Sequence, residues 1–387
     1  MAKRTFVKST LNPKAASLTA PYSPTVNPLD YVRPVSQPNV VINGQMDIWQ
    51  KGTSFTGLGN SANQLGADRF RFQMTTTNGT PAVASYTQVT DVPTFQQVGA
   101  ILNYSAQIKF TTAAGGVAVA DYARIYYPIE GYDYRQLIGA PITISFWVKS
   151  SIAGTFGLTV AANAATSYLA EYQISNTGTW ERKVITVPSP QPTAAFNFTN
   201  GVGLYVEWFI SAGSAGAGGF TVGTANIWAP IYTYSANQNT THMTTLNSTF
   251  QLAGVKIEPG PIATPILPVY YEDELRHCQR YLEVISGPTN TPMGSGFSNS
   301  TSNARFWVPF KTTKRAAPTV TLSAVADVNV LRQGGVQLNG AAGTASELIS
   351  VNGTGISVIT AASQVAGEGV NLLFTNTTAT ITADAEL

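Results

Sequence analysis

His277 and Cys278 stand side by side in "PVYYEDELRHCQRYLE" (268–283), and the cysteine is the only one in the chain. A thiol beside an imidazole could be a nucleophile with its base, or half of a metal site. Neighbouring residues on a helix diverge by about 100°, however, so these two side chains cannot share a proton or a metal. Tyr271, Leu275, Cys278, Leu282 and Ile285 recur at steps of four, three, four and three. That spacing predicts one apolar helical stripe over 268–286, with the thiol inside it. A reactive thiol needs an electropositive, accessible setting, so Cys278 reads as scaffolding. Glu272, Asp273 and Glu274 fill the first turn, where the helix dipole favours acids, and Glu272 is spaced to pair with Arg276. The other histidine, His242, lies in "NQNTTHMTTLNST" and reads as part of a surface loop.

Carboxylate pairs for glycoside cleavage can be assembled from Asp121, Glu130, Asp133, Glu171 and Glu207, but no motif surrounds any of them. Glu207 reads as a solvated strand position. There is no nucleophile elbow, no phosphate-binding glycine loop and no His-x-x-x-His pair. "GSAGAGGF" (213–220) is glycine-rich without a following helix or lysine, and reads as a flexible loop. Lys311, Lys314 and Arg315 in "FKTTKRAAPT" read as a solvated turn. The expectation is a protein that is not an enzyme and takes neither metal nor cofactor.

Aromatic side chains offer different chemistry, because flat rings bind pyranose faces while a few polar groups set the orientation. Tyr126, Tyr127, Tyr132 and Tyr134 in "RIYYPIEGYDYRQL", with Trp180, are the glycan-binding candidates. The competing reading packs these rings in the core or at subunit contacts.

The elements that must position such residues follow from composition and periodicity. With 387 residues, two folded domains are the default. Only 11% of residues are charged, while Thr, Ser, Asn and Gly abound, the mixture expected of many short strands with polar turns. One cysteine excludes an intrachain disulfide, and one cysteine with two histidines is too few for structural zinc. No run approaches the eighteen or so apolar residues of a membrane span, so no membrane insertion is expected.

The first 38 residues hold Lys3, Arg4, Lys8, Lys14 and Arg33 against Asp30, a local charge of +4 in a chain of net +2. The remaining mildly acidic body cannot offer the phosphate-neutralising surface that nucleic acid requires. Residues 1–38 also carry six prolines from Pro13 to Pro38, which preclude a packed domain. One reading is a disordered leader; the other is an anchoring arm lying along another protein's groove, since Phe6, Leu11, Leu18, Tyr22, Val26, Leu29, Tyr31 and Val32 are many apolar groups for a spacer.

From 39 to 262 the period is two. In "ITISFWVKS", Ile142, Ile144, Phe146 and Val148 face one way, while Thr143, Ser145, Trp147 and Lys149 face the other. "GLYVEWFI" repeats the pattern. Around ten such runs, separated by Gly, Pro, Asn and Ser, predict an antiparallel jelly-roll β-sandwich. Residues 263–287 read as a linker with a short helix, and 288–387 as a smaller C-terminal β-domain in which Asn352-Gly353 marks a hairpin. The fold class is thus all-β.

Several phrases converge on a family. "VINGQMDIWQKGTSFT" (41–56), "ADRFRF" (67–72), "IEGYDYRQLIGAPITISFWVKSSIAGTFGLTV" (129–160), "TGTWERKVITVP" (177–188), "GLYVEWFISAG" (203–213), "FQLAGVKIEPGPIATPILPVYYEDELRHCQRYLE" (250–283), "FWVPFKTTKRAAPTVTLS" (306–323) and the terminal "DAEL" resemble bacteriophage tail-fibre and appendage proteins. The resemblance covers roughly residues 40–387 and leaves out the leader. It implies a virion structural protein whose jelly-roll is similar to carbohydrate-binding modules. It further implies display in several copies, usually as a homotrimer. The apolar residues of the leader, not the resemblance, carry the expectation that residues 1–38 dock onto other virion proteins, and host surface polysaccharide is the further partner expected. It supplies no catalytic site and no sugar-binding residue set. The chain has no heptad or triple-helical shaft and no β-helix of the depolymerase kind, which points to a short appendage or head-borne fibre. Capsid decoration without a receptor role is the alternative within the same class, and a glycan-degrading lyase or hydrolase is the alternative outside it.

Overall fold

The computed structural model describes residues 38–162, 166–189, 196–213, 220–238, 241–341, 345–361 and 364–387. The anchoring arm, with Phe6, Leu11, Leu18, Tyr22, Leu29 and Tyr31, lies outside the described residues, as does most of the 213–220 glycine stretch. The fold class is all-β, as the alternation predicts.

The first unit contains β1 (Ser54–Leu58), β2 (Ala62–Leu65), β3 (Arg71–Thr75), β4 (Val83–Val89), β5 (Ser105–Thr112), β6 (Tyr122–Glu130), β7 (Ile142–Ser150), β8 (Gly154–Ala162), β9 (Thr166–Ile174), β10 (Glu181–Val187), β11 (Val202–Ala212), β12 (Phe220–Val222), β13 (Trp228–Ala229), β14 (Tyr232–Ser235) and β15 (Thr249–Pro259). Two sheets form the sandwich, in the orders β1-β4-β5-β15-β7-β10 and β13-β9-β8-β11-β6-β3-β2. Every pairing within them is antiparallel. Neighbours such as β5 and β15, or β6 and β11, are far apart in sequence, so the chain repeatedly crosses from one sheet to the other as a jelly-roll does. Ile142, Ile144, Phe146 and Val148 on β7 and Leu204, Val206, Trp208 and Ile210 on β11 all point into the fully buried space between the sheets. Deleting any of these large side chains costs about 2–5 kcal/mol, because the cavity left behind only partly collapses.

The second unit contains β16 (Leu282–Ser286), β17 (Pro292–Ser298), β18 (Asn303–Pro309), β19 (Thr319–Leu322), β20 (Val328–Leu331), β21 (Gln337–Asn339), β22 (Ala345–Glu347), β23 (Gly353–Ile359), β24 (Gly369–Phe374) and β25 (Thr380–Asp384). Its sheets run β16-β25-β19 and β21-β20-β24-β17-β18-β23-β22, around a separate core that includes Phe306, Ile356, Leu372 and Phe374. Asn352 ends the connection from β22 and Gly353 begins β23, and the turn is longer than a two-residue hairpin because β22 ends at Glu347.

The helix is shorter than its stripe predicts. It covers Tyr271–Gln279, and Leu282–Ser286, expected as its last turns, is β16, an integral strand of the second unit. "LEVIS" pairs residue for residue with Thr380–Asp384, so a ladder formed with the far end of the chain overrides the local helical spacing. Arg276 pairs with Asp273 rather than Glu272.

The two units meet through polar groups. Asn43, in the left-handed region at φ 59°, organises the loop after residue 40: its Nδ2 donates to the Ile48 and Asp68 carbonyls, and its Oδ1 accepts from the Ile48 amide. Its own amide donates to Glu274 on the helix. Gln50 bridges the units, donating 2.6 Å to Asp68 and 2.7 Å to the Leu282 carbonyl. Next to it Arg69 forms an ion pair with Glu386 in which both side chains are 1% exposed. The Arg69 guanidinium lies 3.5 Å from the Tyr281 ring centroid and donates 2.7 Å to the Pro128 carbonyl. Glu130 receives Arg280 at 2.7 Å and the Tyr281 hydroxyl at 2.5 Å. Lys314 and Arg315, expected in a solvated turn, belong to this junction. Lys314 is buried on Glu283 at 2.5 Å and on the Gln279 carbonyl, while Arg315 holds the Ala385 and Glu386 carbonyls. Lys311 alone of that cluster stays exposed.

Replacing Glu386 by Ala leaves a buried guanidinium without its counter-charge. The expected loss is roughly 3–5 kcal/mol, seen in calorimetry as a lowered midpoint and the splitting of one transition into two. A profile like that of the wild type would show that the pair does not couple the units.

Candidate functional site

The outward residues of β7 form the floor of a cleft on the first sheet. In the β7–β10 ladder Trp147 faces Arg182 and Ser145 faces Val184. On the other side of β7 the pairing with β15 slips between Ala253 and Lys256, and Gly254 adopts φ +55° there. A Cβ on Gly254 would come within 3.1 Å of both Trp147 and Leu102, so the bulge and its glycine let the indole lie against the backbone. Trp147, Trp180, Leu102 and Ala253 make a small apolar cluster here, outside the main core.

One wall is the 91–102 segment, whose short helix Phe95–Val98 is held by a Thr94–Gln97 capping box. Asp91 fixes that wall to the sheet by accepting from Lys149 at 2.6 Å, Trp180 Nε1 at 3.1 Å and Gln251 at 3.2 Å. Burial opposes the charge on Asp91, but these three donors outweigh it and hold the carboxyl below its ordinary range. The opposite wall is Ala263–Ile266. Buried Lys256 donates to Thr264 at 2.5 Å and to the Pro265 carbonyl at 3.0 Å, and Glu258 accepts from the Thr264 amide and hydroxyl. Burial pushes the Lys256 amine down while Glu258 pulls it back up.

Gln97, Ser145, Trp147 and Arg182 line the resulting space. Arg182 is exposed, and its guanidinium makes no hydrogen bond or ion pair among the described residues. The cleft holds about 130 Å³, below the ~300–1,000 Å³ of pockets that enclose a whole small molecule. Trp147 is itself only 8% exposed and Ser145 is buried, so a ligand there would lie along the surface and meet chiefly the exposed Arg182 guanidinium and Gln97 amide, with the rim of the indole beneath them. These groups bind and orient; no acid–base pair stands among them.

The glycan candidates do not share a surface. Tyr127 and Tyr134 are buried in the sandwich core, the first accepting from the Ile42 amide at 2.8 Å and the second stacked on Phe196 and Phe198. Tyr126 is buried at 8% exposure against Tyr205, its hydroxyl 3.2 Å from Asn63. Tyr132, 47% exposed beside Arg135, is the open one of the four tyrosines. Trp180 is buried beneath the cleft wall. The loops and crossing strands that cover the outer faces of the sandwich account for this, since alternation says which way a ring points and not what lies over it. Trp147 and Arg182, which line the candidate cleft, are not among the residues that the sequence singles out. Their signal was present in "ITISFWVKS" and "TGTWERKVITVP" as an outward indole and an outward guanidinium, but bringing them together requires the β7–β10 register.

The reactive candidates are placed as follows. Cys278 is fully buried, and burial followed by Asp68, Glu274 and Glu386 pushes its thiol far up. His277 points to solvent, 3.5 Å from Glu274. His242 is not on a surface loop. Its ring is fully buried among Phe110, Phe156 and Phe250, with Nε2 2.9 Å from Ser150 Oγ. That hydroxyl also contacts the Ile152 backbone. The loop side chains of an Asn- and Thr-rich segment mask this one inward ring. Glu207 is likewise not solvated: β14 covers it, and it pairs with Arg124 and Tyr232. Burial raises its carboxyl, with Arg124 opposing. Asp121, Glu130 and Glu171 accept structural hydrogen bonds from Thr77, Arg280 and Asn237 respectively. Asp133 is raised by burial and by the nearby Glu130. Among the described residues no group of three or more His, Cys, Asp and Glu is arranged to hold a metal, and no helix is long and apolar enough to cross a membrane.

The first unit is an antiparallel β-sandwich with a lateral cleft, joined to a second β-domain. No family model matches the sequence, and no curated protein matches it. Among solved structures, a family 11 carbohydrate-binding module from Clostridium thermocellum, in complex with a mixed-linked tetrasaccharide, is 10% identical. The match covers 55% of this chain and 98% of that one, with a TM-score of 0.28. A xylan-binding domain from Paenibacillus barcinonensis is 8% identical, covering 59% and 98% at a TM-score of 0.27. A tandem of two such domains from the same organism is 11% identical, covering 87% and 98% at 0.26. What this chain binds has to be argued from its own side chains.

Two buried groups give opposed pH dependences. Burial pushes His242 down to about 3, so between its ordinary value near 6.5 and that point only the unfolded chain takes up the proton, and acidification destabilises. Asp68 is raised to about 7 by burial, with Glu386 adding to it and Gln50 opposing. Below that value the folded chain takes up the proton first, and acidification stabilises. From pH 6.5 to 5 the two offset. His242→Gln should therefore gain, and Asp68→Asn lose, up to about 1 kcal/mol per pH unit relative to wild type, measured by urea midpoints. Parallel slopes for all three proteins would refute the assignment.

Proposed function

We propose that the protein is a non-catalytic bacteriophage virion appendage, a tail fibre or a head or tail fibre of short reach, that adheres to host surface polysaccharide. Residues 1–38 dock onto another virion protein, and the two β-units project from it as a displayed homotrimer. The observation that carries the adhesive part is Arg182, an unpartnered guanidinium beside the Trp147 indole in an open cleft, while the buried acids and bases are committed to the scaffold. An indole with a free guanidinium favours a saccharide chain bearing acidic residues, such as uronic acids, because the guanidinium can bind a carboxylate through two parallel hydrogen bonds.

The virion part is supported by the sequence phrases that resemble phage appendage proteins. They map onto the junction: Asn43, Gln50, Asp68, Arg69 and Glu386 all lie in them. A single contact in so shallow a cleft is weak, and display in several copies raises its strength through effective concentration.

Two measurements test the reading. On a glycan array with the assembled protein, acidic polysaccharides should be retained by wild type and retained at least tenfold less by Arg182→Ala, with the thermal midpoint unchanged. Absence of binding by wild type would favour capsid decoration without a receptor role, and release of reducing ends would favour the enzymatic alternative. Deleting residues 1–38 should abolish incorporation into particles while both β-units stay folded. Particles that still contain the truncated chain would contradict the anchoring role.

A further inference from the structure

The outer face of the larger sheet of the second unit carries two open aromatic rings. Ser295 faces Trp307 in the β17–β18 ladder and Phe297 faces Arg305, so Phe297 and Trp307 are diagonal neighbours on one face. Phe297 is 52% exposed and Trp307 45% exposed. On the next strand Trp307 faces Gly355, and Pro309 faces Gly353. A Cβ on Gly353 would fall 2.5 Å from Trp307 Cζ2 and 2.8 Å from Cε2. The indole therefore lies down over a strand stripped of side chains and turns its other face outward. Arg305 and Glu347 border it as an ion pair of 3.0 Å with side chains 50% and 30% exposed. Around these rings is an open, mostly apolar hollow of about 320 Å³.

We propose that this face is a second saccharide-binding site, and that it takes a neutral oligosaccharide whose pyranose rings lie on Trp307 and Phe297. Flat rings offer the apolar face that a pyranose needs, and the Arg305–Glu347 pair supplies donors and acceptors to hydroxyls at its rim. Because that pair is already neutralised, the site selects no ligand charge, in contrast to the unpartnered Arg182 of the sandwich cleft. A second copy of the chain is the competing occupant, and area decides against it. Rings that bury 150–250 Å² when covered offer about 100 Å² each at half exposure. With Leu348, 72% exposed at the edge, the patch gives roughly 300 Å², well below the ~800 Å² per partner of a stable interface.

Calorimetric titration of the full chain with neutral gluco-, galacto-, manno- and xylo-oligosaccharides tests this. The expected result is binding of at least one probe, weakened at least tenfold by Trp307→Ala, partly restored in Trp307→Phe, and within twofold of wild type in Arg182→Ala. That last comparison separates this site from the sandwich cleft, so either can fail alone. If Trp307→Ala does not fold, Phe297→Ala serves, with at least a threefold weakening expected. No binding to any probe, or equal binding by the ring variants, overturns the proposal. So does a fall in oligomeric size caused by the ring variants in sedimentation, which would assign the patch to a second copy.

Discussion

The buried pair between Arg69 and Glu386 is the constraint on which the arrangement of the two units depends. Each side chain is 1% exposed, and withdrawing each ion from water costs several kcal/mol. Burial opposes the guanidinium's charge, yet Glu386 and the Tyr127 and Tyr281 rings outweigh it and push its pKa up. Arg69 also occupies the left-handed region at φ 74°, a strained position for a residue with a side chain, worth about 1–3 kcal/mol. An apolar contact of equal volume would hold the units together at least as firmly. What the ion pair adds is orientation, because the fork of an arginine between two rings and a carboxylate accepts one geometry. A docking that buried them out of register would leave both charges unpaired.

Around this pair, the last strand of the chain is fastened twice. Inside the second unit β25 lies between β16 and β19. At its end Asp384 binds Lys51 at 2.6 Å, and Arg315 holds the carbonyls of Ala385 and Glu386. The middle strand of the second unit's smaller sheet is thus also its link to the sandwich, so disorder in that strand would reach both the second core and the junction. The same logic places Cys278 and the helix. Gln279 and Glu283 anchor Lys314, Glu274 receives Asn43, and the buried thiol fills the space between.

Strand alternation made the inner faces legible. The residues of "ITISFWVKS" and "GLYVEWFI" assigned inward are the sandwich core, because period two leaves no other way to bury every second side chain. It could not say what covers the outward faces. Glu207 and His242 read as solvated, yet each is enclosed by segments distant in sequence, and each is tolerated because it has a specific partner. The end of the helix was misread for a related reason: Leu282 and Ile285 fit a helical stripe, while the strand that claims them lies about a hundred residues later. The tyrosine candidates do not share a surface, because clustering in sequence is not clustering in space. On β6 consecutive tyrosines face opposite ways, and neither side is open. The cleft was half legible, since Trp147 was assigned outward, but its pairing with Arg182 depends on a cross-strand register that the sequence does not state.

The polar junction and the shallow sites fit together physically. A shallow contact gains little free energy alone, so its use rests on repetition, and repetition multiplies affinity only where the linked sites can be engaged together. A flexible connection between the units would spread the second site over a large volume and dilute that gain. The Arg69–Glu386 pair and its neighbours remove that freedom, holding the Trp147 cleft and the Trp307 face in one fixed relation within each chain. On the proposed reading, the cost of burying charge at the junction would be offset at the ligand, where rigid spacing between an acid-selective and a neutral contact would discriminate among polysaccharides by repeat as well as by composition.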